Sequence, residues 1–475
     1  MPFPFLLPTI SHVSFSDFFS SSTHPSLPLA ATSSRSVVRD TLKRQKRLPP
    51  QSQASSLPNV LAALNEYIPY LLALDAGLSG ARIAEEEVDV ALIKELEVEW
   101  RATLTASIPG REPPRIKLRS LDVEIFFALS TLAYTNSLLA RSHLHILYNG
   151  TVTTTEQRGI AISSAMKYLL EAHSIHSYLV TRAAQWTAAP ATVDISQAML
   201  NALASLTLAE ATLITVYKDD PYPAAVAEDR NPNSKDWMFK NPEIPKVRAH
   251  LYARLCLAAA EHATRAQAGL GGANKINEDF VQYIDDLRRT AKGKACRFLG
   301  IDSELSGKTG EGIAWLRGAK KEMGFVVASA GEDKKFKGLS KLKKDWAEKK
   351  EDRKVMKGGD WGSDAGKFEE GRVLDMLEKK WVKENDTINV QLIPPSEPLL
   401  ANLPSGREYH NPKPYQPPML AADVIVRMRA PPDPSDAAFR DNEDDSGAED
   451  DGQIDPVGVF PGTKTDYAAS GSAYY

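Results

Sequence analysis

From Leu57 the apolar residues repeat at helical spacing for about 240 residues, and strand signals are nearly absent between positions 60 and 385. No other feature restricts the fold as much. Val60, Leu61, Leu64, Ile68, Leu71, Leu72 and Leu74 keep close to the i, i+3, i+4, i+7 rhythm of one helix face. Pro69 lies inside that run and predicts a kink or a division. Val88, Leu92, Leu96 and Trp100 fall four apart and read as a further helical stripe. The stretch Ile125–Leu147 is apolar almost all round, which marks a central helix packed on several sides. More helices are expected over 156–186, 194–218, 244–268, 276–298, 310–328 and 364–384, with Asp194 and Ser196 as candidate N-caps of the second. Such a series excludes doubly wound α/β sheets and TIM barrels. It leaves an all-α bundle or a solenoid of stacked helix pairs. No regular tetratricopeptide period is present, so an irregular α-solenoid is the better reading.

Composition narrows the function. At 475 residues and 52.1 kDa the chain suits one large architecture or several modules. Its 57 basic and 61 acidic residues leave a net charge of −4, which argues against nucleic-acid binding by bulk charge. Cys256 and Cys296 are too few for a disulfide framework or a cysteine-based zinc module, and read as inert buried thiols. The apolar patch Phe3–Leu7 is interrupted by Pro4 and preceded by no basic residue, so it does not read as a signal peptide. Ile125–Ala140 is too short and too polar to span a bilayer. A soluble, cytoplasmic protein is expected.

The two ends differ from the middle. Residues 1–57 are rich in Ser and Pro and read as an extended, loop-rich start, with a short strand possible at His12–Ser16. Lys43, Arg44, Lys46 and Arg47 then form a basic cluster, read as a solvated loop or a contact to an anionic surface. Between Lys334 and Lys357 eleven basic residues face four acidic ones. Phe336, Leu339, Leu342 and Trp346 make that segment an amphipathic helix with a charged face, and Gly358, Gly359 and Gly362 end it. Ile388, Val390, Leu392 and Ile393 suit an extended strap, proline-punctuated from Pro394 onward. The helical body therefore covers 1–420, and 421–475 reads as an acidic disordered tail. Without Pro431–Pro456, which holds ten acids and Arg440, the net charge becomes +5.

Catalytic signatures fail one by one. Gly307-Lys308-Thr309 lacks the glycine spacing and the preceding strand of a phosphate-binding loop. His173 and His176 could share a helix face, but no Glu completes a metalloprotease frame. Gly269–Gly272 reads as a helix stop, and no G-x-S-x-G occurs. No cofactor or metal is indicated. What remains is the helix around Leu206–Tyr217, apolar on more than one face, which is either all core or a surface for a partner's amphipathic helix.

Several strings resemble a known family. Pro2–Phe5, Ser11–Phe15, Ser26–Leu29, Ser36–Asp40, Leu64–Tyr67 and Leu74–Leu78 are similar to the PalC family of fungal pH-response regulators. Thr192–Ser196 with the helix after it, and Asn385–Ile388 with Ile393-Pro394, are similar to Bro-type domains, the helical module also found in Alix. The resemblance implies a curved fold with a tetratricopeptide-like helical core and short extended straps. It also implies a non-catalytic adaptor in alkaline-pH signalling, near a plasma-membrane pH-sensor complex or endosomal membranes, which promotes proteolytic activation of the transcription factor PacC. The implied partner is the C-terminal amphipathic helix of the polymer-forming ESCRT-III subunit. Carried onto this sequence, the apolar patch for that helix falls at Leu213, Val216, Tyr217 and Val226. Pro221 and Pro223 replace a helical stretch of the family there, and no second arm of the Alix type follows. The reading from a different class is a peripheral membrane-surface scaffold using Lys43–Arg47 and 334–357, without helix docking.

Overall fold

A computed structural model of the chain describes residues 2–106, 112–148, 154–186, 192–229, 244, 246–270, 275–325 and 361–431. Its long helices are α1 (Leu27–Arg47), α2 (Pro50–Leu78), α3 (Leu121–His145), α4 (Thr155–Ala183), α5 (Gln197–Asp219), α7 (Lys246–Leu270), α8 (Glu278–Leu305), α9 (Thr309–Glu322) and α10 (Lys367–Glu384). The short α6 (Tyr222–Asp229) follows α5, and α11 (Glu397–Ala401) and α12 (Ala422–Met428) lie near the end of the described chain. Long helices close in sequence pack together from α1 through α5, then α5 on α7, α7 on α8, and α8 on α9. That serial packing is the all-α solenoid the periodicity predicted.

Burial explains the individual helices. In α3 both apolar and hydroxyl side chains are buried on nearly every face. The hydroxyls are accommodated because they bond their own helix: Thr131 Oγ1 donates to Phe127 O at 2.6 Å and Thr135 Oγ1 to Thr131 O at 2.8 Å. Ser120, Thr154, Ser196 and Asn277 cap α3, α4, α5 and α8 by accepting backbone N–H bonds. Asp194, the other candidate cap, instead accepts from Leu104 N at 2.9 Å and from Thr105 Oγ1, tying the start of α5 to the 104–105 segment.

Several expectations are corrected. The expected loop-rich start stays non-helical to Ser26 apart from one 3-10 turn, but from there it is helical, since α1 runs from Leu27 to Arg47 and α2 begins at Pro50. Leu27, Ala31, Ser34, Val38 and Leu42 form its buried stripe, and Pro28 is tolerated in the first turn. The basic cluster thus closes a helix, where cations favour the negative end of the dipole, and Lys46 pairs with Glu112. Pro69 does not divide α2, which runs through Pro58 and Pro69. His12–Ser16 is not a strand; Ile10 just before it bridges Trp100, Phe15–Asp17 is a 3-10 turn, and β1 spans Phe19–Ser20.

The stripe at 88–100 is not a helix either. Three antiparallel pairs occupy this region: β1 with β4 (Ala91–Leu92), β2 (Arg82–Ile83) with β3 (Glu86–Glu87), and β5 (Glu97–Arg101) with β6 (Arg115–Arg119). Ile388, read as part of an extended strap, lies in a single π-helical turn, Asn385–Asn389. Residues 422–428, read as the start of the tail, form α12 and seat Ile425 in the core. The lysine-rich 334–357 helix and the acidic tail from 432 fall outside the described residues.

Two polar knots lie inside this apolar body. Glu124 of α3 receives Arg35 Nε at 2.8 Å, Tyr67 Oη at 2.7 Å and Trp100 Nε1 at 2.6 Å, joining α1, α2, β5 and α3. Burial alone would lower the Arg35 pKa, but Glu124 outweighs it and the guanidinium is held charged. At the N-terminus Phe3 and Phe5 enter the core against Tyr134, Phe280 and Tyr283. Glu210 of α5 fastens that segment, accepting from Phe3 N at 2.9 Å and Tyr283 Oη at 2.7 Å, and burial pushes its carboxyl up to about 7.

Candidate partner-docking site

The predicted patch lies at the C-terminal end of α5 and in α6. Leu213 is 9% exposed, Val216 1% and Val226 8%, so these three aliphatic side chains belong to the core. Of the four, only Tyr217 is half-buried. The sequence left open whether this helix face is core or surface. For most of it the answer is core, because α5 is packed between α4 and α7.

Around Tyr217 the chain builds a small apolar shelf. Ile214, Ala211, Leu169, Ile162 and Trp361 are buried beneath it, and Leu147, Met166 and Leu170 are partly buried against that cluster. Arg158 lies 4.9 Å over the Tyr217 ring and donates to Tyr217 O at 3.0 Å, which fixes the ring and places a cation beside it. Ile160, two residues along α4, is 58% exposed.

A buried ionic knot sets where α5 stops and α6 begins. Arg297 Nη2 meets Asp220 Oδ2 at 2.5 Å and Arg297 Nε meets Glu370 Oε1 at 2.6 Å, while Lys294 Nζ reaches Glu370 Oε2 at 2.7 Å. Arg297 is wholly buried, stacked against Phe298 at 4.3 Å and Tyr222 at 5.3 Å. Burial would raise the Asp220 carboxyl, but Arg297 outweighs it and holds it low. Sequence reading missed this knot: its members are 73 to 77 residues apart and nothing in their spacing links them.

The other side of α5 is covered by the extended segment before α12. Arg407 N donates to Arg254 O, Glu408 meets His262 at 2.8 Å, His410 approaches Thr215 Oγ1 at 3.1 Å, and Tyr415 packs on Tyr178. Thr215 is therefore occupied from within the chain.

His173 and His176 do not converge on a metal. His173 Nδ1 bonds Ala204 O at 2.8 Å, and His176 is fully buried with neither ring nitrogen partnered among the described residues. Burial, with a smaller push from His173, lowers the His176 pKa to about 3. Its folded pKa lies below the ordinary 6.5, so its contribution is whole above 6.5 and is lost as pH falls towards 3. Denaturation at pH 7 and pH 5 should show a loss of about 2 kcal/mol from this residue. His176→Leu should remove that part of the slope; an unchanged slope would show that His176 is not the buried proton acceptor. Cys256 and Cys296 are buried and burial pushes both thiols up to about 12, so neither is a nucleophile.

Comparison with known proteins gives a consistent result. A BRO1-like domain model matches residues 40–405. The chain is 46% identical to the pH-response regulator protein palC of Emericella nidulans, over 97% of this chain and 99% of that protein. Among solved structures it is similar to the ALIX BRO1 domain of an ALIX BRO1–CHMP4C complex, with a TM-score of 0.50 and 14% identity over 88% of this chain and 96% of that one. It is also similar to ALIX in complex with the SIVmac239 PYKEVTEDL late domain, with a TM-score of 0.53 and 15% identity over 88% of this chain and 49% of that one. At those identities the two structures speak for the fold. The family match over most of the chain, and a relative sharing nearly half its residues over almost its full length, establish that the chain belongs to the BRO1-like domain family.

Proposed function

We propose that this protein is a non-catalytic adaptor in ambient-pH signalling that docks the C-terminal amphipathic helix of the polymer-forming ESCRT-III subunit. In this reading it works on the cytoplasmic side of plasma or endosomal membranes, beside a pH-sensor complex, and promotes proteolytic activation of PacC by a separate protease. The observation that carries the signalling role is its 46% identity, nearly end to end, with a pH-response regulator. Helix docking draws support from the likeness to a BRO1 domain in complex with CHMP4C.

Within the patch Leu213, Val216, Tyr217 and Val226, the half-buried Tyr217 makes direct contact, and the three aliphatic residues are buried in the core behind it. A tyrosine fixed by a neighbouring arginine is the kind of rigid amphipathic anchor on which helix recognition concentrates. Val216→Asp is a poor probe, because a carboxylate at a site 1% exposed would unfold α5 before it tested binding. Tyr217→Ala keeps the core and should raise the Kd for the ESCRT-III helix at least about tenfold, or ~1.4 kcal/mol, in a binding titration. A variant that binds as the parent does would remove Tyr217 from the site.

A further inference from the structure

The loop after α10 holds three aliphatic side chains in water. Ile388, Val390 and Leu392 are 77%, 79% and 90% exposed. They alternate with Asn389 and Gln391, which bond back to the body. Asn389 Nδ2 donates to Thr309 Oγ1 at 2.9 Å, Gln391 Nε2 donates to Gly307 O at 2.8 Å, and Gly310 N donates to Gln391 Oε1 at 3.1 Å. Asn385 closes the loop on itself, accepting from Gln391 N at 3.0 Å and donating to Gln391 O at 2.9 Å.

The backbone is strained as well. Val390 sits at φ +45°, ψ +45°, in the left-handed region where a β-branched side chain crowds its own chain. At Gly310 a Cβ would collide with Leu392 O, so only glycine lets the loop seat this closely on α9. A conformation that is strained, fastened at this many points and used to expose apolar side chains is poorly explained by folding alone.

The chemistry of the tip selects its partner. It is exposed and aliphatic, without the Trp, Tyr or Arg anchors that dominate protein–protein contacts. Lys379 and Lys383, exposed on α10, share one hollow with Val382 and Thr387, and neither is in an ion pair among the described residues. Lys308, 65% exposed, lies next to Gly307 and meets Glu311 at 3.7 Å. Asp375, Glu378 and Asp386 line the same hollow, but Asp375 and Glu378 pair with Lys320 and Arg317, which leaves Asp386 as its acid without an ion pair among the described residues. Protruding aliphatic side chains flanked by lysines fit a bilayer, with the chains entering the acyl boundary and the ammonium groups meeting lipid phosphates.

We propose that the Ile388–Leu392 loop is a membrane-insertion tip that seats the chain on anionic lipid surfaces. It shares no residue with the Tyr217 shelf and stands independently of helix docking.

The test is flotation of the full chain with phosphatidylcholine vesicles, with and without phosphatidylserine. The parent chain should float with the phosphatidylserine vesicles. Ile388→Ser/Leu392→Ser should lower the bound fraction about tenfold at unchanged thermal midpoint, since both side chains already lie in water. Binding through the tip should persist in part at raised salt, whereas Lys379→Glu/Lys383→Glu should weaken it mainly at low salt. A double-serine variant that floats like the parent overturns the proposal. So does a parent chain that floats with neither vesicle, which would give the tip to a protein partner.

Discussion

Glu124→Ala is expected to cost about 4 kcal/mol of stability, read as a lower urea midpoint, because it strands buried groups on three other elements. Arg35, 1% exposed, loses its countercharge, and the buried Tyr67 Oη and Trp100 Nε1 lose their acceptor. Most of the loss comes from the uncompensated Arg35 charge, since a neutral orphaned donor costs about 1–3 kcal/mol and a buried ion far more. The double change Arg35→Met/Glu124→Leu should therefore be less harmful than Glu124→Ala alone. If the double variant is the weaker of the two, the pair does not act as one unit. Ser11 O, which accepts from Arg35 Nη1 at 2.7 Å, ties the same knot to the segment ahead of α1.

Arg297→Met should be comparably severe, at about 3–5 kcal/mol, because it leaves Asp220 and Glu370 buried with Lys294 as the cation that remains close. Here pH separates charge from packing. In the parent chain Asp220 is held low, so it contributes stability above its unfolded pKa and that contribution fades as pH falls. In the variant the same carboxyl is buried without its partner, and protonation relieves it. The gap between parent and variant should therefore narrow as pH falls from 7 to 4. A gap of constant size over that range would mean that Arg297 acts through its packing on Tyr222 and Phe298. Since Asp220 begins the turn into α6, the variant should also loosen Val226 and weaken helix docking beyond what stability accounts for.

The helices were legible because each carries its period on its own residues. The expected 194–218, 276–298 and 364–384 correspond to α5, α8 and α10. The failure at 88–100 has a simple cause: a spacing of four satisfies the helical period and is also twice the strand period. The decisive signal was Leu96, Val98, Trp100 and Ala102, all buried, alternating with Glu97, Glu99 and Arg101. At the start of the chain the serines concealed α1, although Ser34 and Thr32 simply bond carbonyls of their own helix at Ala30 and Pro28. The burial of Leu213, Val216 and Val226 was not legible. Their apolar character was plain, but the core they join is made by packing of α5 against α4 and α7, and no local pattern carries that.

The threaded N-terminus sets an order of events. Phe3 reaches its ring partners only when Phe280 and Tyr283 exist, and its backbone is held by Glu210. At about 5–20 residues per second of synthesis, the Phe3 segment waits roughly 15 to 55 seconds for the α8 surface that receives it. During that interval two phenylalanines and the groove between α3, α5 and α8 are uncovered together. Seating of the Phe3–Phe5 segment thus becomes a late check that α8 has arrived in register.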